Sequence, residues 1–83
     1  MKIIIHPHAK ERMQERGALE KEVEDTIMQG EQFPAKFGRV GFRRNFVFKS
    51  KRAEKFYETK QIEAYAVKEK NVWIVITVIT RYF

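Results

Sequence analysis

Pattern alone predicts an α+β domain of order β-α-α-β-β-β, with two N-terminal helices packed on one twisted antiparallel sheet of three to four strands. Three observations predict it. Apolar residues recur at helical spacing between Pro7 and Gln29, and the period drops to two from Phe37 onward. Two apolar runs near the C-terminus are separated by Glu69-Lys70-Asn71, which reads as a hairpin turn. A chain of 83 residues has room for one core, so a single domain over residues 1–83 is expected.

Each element has its own justification. Ile3-Ile4-Ile5 is a short β-branched run and reads as a first strand. Pro7 suits the first position of a helix, and His6 before it closes the corner. The helix runs from His8 to Arg16 and stops at Gly17, with Ala9 and Met13 facing the core. A second helix covers Leu19 to Gln29 and ends at Gly30, with Leu19, Val23 and Ile27 as its apolar stripe. Glu20 and Glu22 complement the positive end of its dipole, although Leu19 is a poor cap. Pro34 forbids further helix.

Beyond Phe37, Val40, Phe42, Phe46 and Phe48 share one parity, and Arg39, Arg43, Asn45 and Lys49 share the other. Arg44 violates the alternation, which predicts a bulge or a long stem reaching an edge. Residues Ser50 to Thr59 look charged and irregular, anchored by Phe56 and Tyr57. Strands follow over Gln61–Lys68 and Val72–Phe83. The last is apolar on both parities and so belongs inside the sheet.

Composition excludes several classes of function. There is no cysteine, hence no disulfide framework, no thiol nucleophile and no Cys-based zinc site. Two histidines without a third ligand of their kind argue against a metal site, and no cofactor loop is present. The N-terminal apolar run is three residues long, too short for a signal-peptide core. The uncharged stretch Asn71 to Thr80 is too short to cross a bilayer. A cytoplasmic protein with no membrane contact is expected.

Charge points to a polyanion. Seventeen Lys and Arg against eleven Asp and Glu give a net +6. The segment Lys36–Lys60 alone carries nine bases and two acids, whereas Leu19–Glu31 carries five acids and one base. Such a split suits one surface built for nucleic acid. A merely soluble surface rich in Lys and Glu is the alternative. Six of the eleven aromatics fall between Phe37 and Tyr57, and cations interleaved with rings are what single-stranded RNA binding requires. The candidate RNA-binding residues are Arg16, Arg39, Arg44, Lys49, Lys51, Arg52 and Lys60.

Candidates for chemistry are His8, Arg12, Arg43, Arg81 and Tyr82. His8, Arg12 and Arg16 form one row at helical spacing, and nearby guanidiniums favour a neutral imidazole that can act as a base. The same row can instead form ion pairs with Glu11, Glu15 or Glu20. At the chain end, Tyr82 can exchange a proton or stack on a base, and Arg81 can grip a phosphate.

The opening His8-Ala9-x-x-Arg12-Met13-x-x-Arg16-Gly17, followed by Glu22-Val23, resembles a small prokaryotic family of domains of unknown function. Gly38-Arg39-Val40 and the final Val75–Thr80 run into Arg81-Tyr82 resemble it too. That family is grouped with the RelE/ParE-like type II toxins. The resemblance implies a RelE-like fold and a metal-independent endoribonuclease, an mRNA interferase working by attack of the ribose 2′-hydroxyl. Arg81 and Tyr82 fall where such toxins place functional residues at the end of the last strand, with Arg39 and Arg43 in a comparable role. His8 and Arg12 match the smaller family's own opening. Implied partners are RNA, including ribosome-bound mRNA, and an antitoxin protein; a domain this small would also gain from pairing with a second copy of the chain. A non-catalytic module binding nucleic acid or protein is the alternative.

Overall fold

A computed structural model describes residues 2–83. The elements are β1 (Lys2–Ile5), α1 (Pro7–Arg16), α2 (Glu20–Gln29), β2 (Glu31–Pro34), β3 (Val40–Arg52), β4 (Lys55–Glu69) and β5 (Val72–Tyr82). The sheet order is β1-β5-β4-β3-β2, with β1 parallel to β5 and every other pair antiparallel.

This corrects the expected architecture. The sheet has five strands and is mixed, not three to four antiparallel strands in a RelE-like β-α-α-β-β-β order. The strand absent from the sequence reading is β2, only four residues long and ending in Pro34. Proline cannot donate to a ladder, and β2 accommodates it because it lies at the sheet edge. The parallel pairing of β1 follows from the helical connection. Leaving β1, the chain crosses one face through α1 and α2 and re-enters at the opposite edge. The direction of β5 beside β1 is then set by the hairpins that follow, not by residues in either strand.

The helices start and stop for local reasons. His6 caps α1, its Nδ1 accepting from the His8 backbone N–H at 3.1 Å, while its own N–H donates to Val75 O and ties the corner to β5. Gly17 ends α1 with φ of 76°. A Cβ there would approach the Tyr82 hydroxyl to 2.6 Å and Arg52 NH1 to 2.8 Å, so packing and backbone both demand glycine. At α2, Glu22 reaches back to accept from the Leu19 N–H at 3.0 Å, which makes up for the apolar cap position.

Ala9 and Met13 of α1, with Val23 and Ile27 of α2, meet Phe42, Ile62, Ala64, Ala66, Val75 and Val78 in the core. Val75 and Val78 are both buried although three residues apart, because a bulge between their β4 partners Ala66 and Ala64 shifts the parity of β5. Residues 50–59, expected to be irregular, continue β3 and β4 as a long hairpin turning at Ala53-Glu54, both at positive φ (53° and 64°). The principal extents are 42 × 23 × 22 Å. The bulge in β3 falls between Val47 and Ser50 and not at Arg44. Arg44 instead extends its stem to Gln29 Oε1 at the end of α2, at 2.9 Å.

Candidate functional site

Alternation along β4 sends Ile62 and Ala64 to the helices and Gln61, Glu63 and Tyr65 to the face that no helix covers. Register then sets Arg43 of β3 opposite Glu63, and Arg81 of β5 opposite Gln61, one diagonal step away. Their side chains converge. Glu63 Oε2 accepts from Arg43 Nε at 3.0 Å and from Arg81 Nη1 at 2.5 Å, while the Tyr65 hydroxyl donates to Oε1 at 2.6 Å. Arg43 Nη1 also donates to Glu31 of β2 at 3.2 Å. The Glu63 side chain is 5% exposed, against 38% for Arg43 and 51% for Arg81. The carboxylate is therefore sunk in the sheet surface, and both guanidiniums remain open to solvent.

The electrostatics follow from this geometry. Burial alone would raise the Glu63 carboxyl. The hydroxyl of Tyr65, the bond from Arg43 and the charges of Arg81 and Arg43 outweigh it and hold the carboxyl below its ordinary value. The bond to Glu63 raises Arg43, and the same carboxylate raises the Tyr65 phenol, with burial adding to the effect.

A cleft adjoins the cluster and shares Tyr65 with it. Phe33 lies over Gly41, where any side chain would overlap its ring. Its ring meets Tyr65 edge-on, with centroids 6.0 Å apart, and the Arg43 guanidinium sits 4.5 Å from the Phe33 centroid. The loop between β2 and β3 forms the other wall. The cleft is about 390 Å³, and Lys36, Phe37, Arg39 and Thr77 complete its lining. Among the described residues no group of three His, Cys, Asp or Glu side chains is placed to hold a metal ion.

Of the five residues predicted for chemistry, the structure brings two together, Arg43 and Arg81. Tyr82 projects to the opposite face, where its hydroxyl donates to Arg16 O at 2.8 Å and closes the end of α1. His8 and Arg12 are exposed on α1, across the sheet from Glu63, and Arg12 pairs with Glu15 at 3.7 Å. Arg16 donates to Val78 O at 2.6 Å, capping the part of β5 that β1 does not reach. Lys60 is buried on the helix side, its ammonium shared between Gly17 O and both carboxylate oxygens of Glu22 at 2.8–3.1 Å. Arg52 lies over the Tyr82 ring and donates to Glu15 O. Lys49 and Lys51 are exposed on the projecting hairpin, Arg44 is tied to Gln29, and Arg39 lines the cleft.

Sequence reading missed Glu63 and Tyr65. Their signal was present in the alternation Gln61-Ile62-Glu63-Ala64-Tyr65, where an acid shares one parity with Gln and Tyr while Ile and Ala take the other.

No curated protein matches the chain. No solved structure matches it either. Residues 5–80 match the family described as Domain of unknown function (DUF4258). The match runs from Ile5, the last residue of β1, to Thr80 in β5 and so covers most of the sequence, and the chain belongs to that family.

Proposed function

We propose that this domain binds single-stranded RNA across its uncovered sheet face and cleaves it by 2′-hydroxyl attack, an activity akin to that of the RelE/ParE-like toxins. One observation carries the reading. Two guanidiniums from strands that are not neighbours share one oxygen of a sunken carboxylate while their side chains stay 38% and 51% exposed, and Arg43 reaches Glu31 as well. Such a pair is preorganised for a planar or tetrahedral oxyanion, and phosphate is the natural claimant.

The chemistry follows from competition for donors. A backbone phosphate drawing Arg43 and Arg81 toward itself removes the two cations that hold the Glu63 carboxyl low. Burial is then opposed by the Tyr65 hydroxyl alone, and the carboxylate becomes a stronger base. Glu63 takes the 2′ proton, the 2′-oxygen bonds to phosphorus, and the bond from phosphorus to the 5′-oxygen breaks. The departing oxygen takes a proton from solvent, leaving a 2′,3′-cyclic phosphate and a 5′-hydroxyl. Both guanidiniums face the charge that builds on the phosphoryl oxygens.

The test uses a fluorescein-labelled single-stranded RNA in excess chelator. Affinity should fall linearly on a log scale with salt, and Arg81→Ala should lessen that slope by about one unit or less. Glu63→Gln should cut cleavage by about 10²-fold or more while binding is kept. Absence of binding at low salt overturns the reading. Binding without cleavage in the wild type reduces it to a non-catalytic RNA module.

A further inference from the structure

Phe37 is the most exposed large apolar side chain described, at 87%, and its backbone is left-handed with φ of 61°. Phe37 and Gly38, both at positive φ, are the central pair of the turn joining β2 to β3, and nothing covers the Phe37 ring. The loop that carries it is nonetheless held. Ala35 N–H donates to Arg39 O at 3.1 Å, and Arg39 N–H donates to Lys36 O at 3.2 Å. A hydrogen-bonded turn thus keeps an aromatic ring out in water, beside the cleft that it lines with Phe33, Tyr65 and Thr77.

We infer that this cleft is the seat of one unstacked RNA base, which stacks on Phe37 while the neighbouring phosphate engages Arg43 and Arg81. The inference rests on the RNA-binding reading above and names the subsite beside the cleaved bond. Three features select this occupant. Rings from three separate segments line the cleft, and a nucleobase offers a flat face to each of them. Lys36 and Arg39 line it too, and neither forms an ion pair among the described residues, so charge is available for the strand's phosphates. Tyr65 belongs to both cleft and cluster, which joins the base seat directly to the phosphate seat. The volume of about 390 Å³ lies within the roughly 300–1,000 Å³ of small-ligand sites, enough for a base with its sugar. The Thr77 hydroxyl supplies a polar contact for the base edge.

The experiment compares wild type, Phe37→Ala, Phe37→Trp and Arg81→Ala on one fluorescein-labelled single-stranded RNA and on the matching duplex. Phe37 is so exposed that neither variant should disturb folding, which circular dichroism checks. Phe37→Ala should weaken single-strand binding by about 5- to 100-fold and leave the duplex unaffected, because paired bases cannot enter the cleft. Phe37→Trp should keep its affinity, and its added emission should be quenched by single-stranded RNA. Unchanged single-strand affinity in Phe37→Ala, equal loss on the duplex, or an unquenched Trp each overturns the base seat. With Arg81→Ala still impaired, such a result leaves the RNA-binding reading standing. A wild type that binds no RNA overturns both.

Discussion

Replacing Glu63 with Gln keeps the shape of the side chain and removes the charge that Arg43, Arg81 and Tyr65 all address. Breaking a fully buried ion pair costs about 3–5 kcal/mol. Here Glu63 is sunken but the Arg43 and Arg81 side chains are 38% and 51% exposed, so both cations can turn to water once released. The expected cost at neutral pH is therefore about 1–2 kcal/mol, or roughly 5–15 °C in Tm for a domain of this size. The sign with pH is definite. The Glu63 carboxyl lies below its ordinary 4.5 in the folded protein, so the unfolded chain binds the proton more readily. The stability it contributes is complete above 4.5 and is lost as pH falls through the lower folded value. Thermal melts of wild type and Glu63→Gln by circular dichroism, at pH 7 and at pH 3, measure this directly. The gap should be wide at pH 7 and should narrow at pH 3. A gap of the same size at both values, or none at pH 7, refutes the account of the cluster.

Lys60→Met should destabilise the domain by about 3 kcal/mol in urea melts, because it strips the Glu22 carboxylate of its cation, leaving it only the Leu19 N–H, and removes the ammonium from Gly17 O, and it should leave RNA affinity unchanged. Gly17→Ala should cost about 1–3 kcal/mol by the same assay, since a left-handed residue would also press on the Tyr82 hydroxyl and Arg52. His8→Ala should leave RNA cleavage within a factor of about two, measured as initial rate, because His8 lies on the helix side of the sheet from Glu63.

The sequence by itself determined the elements whose cause is local. Pro7 and Gly17 bracket α1, the stripe Val23–Ile27 turns α2 toward the core, and the parity of Phe42 against Arg43 assigns each to its face. It also marked Arg43 and Arg81 as residues that could meet a phosphate. The tertiary structure decided what depends on which strands become neighbours. Only the register of β3, β4 and β5 puts Arg43 and Arg81 on a single oxygen of Glu63, and only the bulge in β5 turns Arg81 to the open face while Tyr82 faces the helices. The parallel seat of β1 and the short edge strand β2 are likewise invisible locally: one is set by the path of the helical crossover, and the other is too short to display a period. Lys60 shows the same division from the other side. Its charge suggested a phosphate contact, yet its place opposite Tyr82 in the register carries it beneath the α1–α2 junction, where the three donors of a buried ammonium need three acceptors and find them in Gly17 and Glu22.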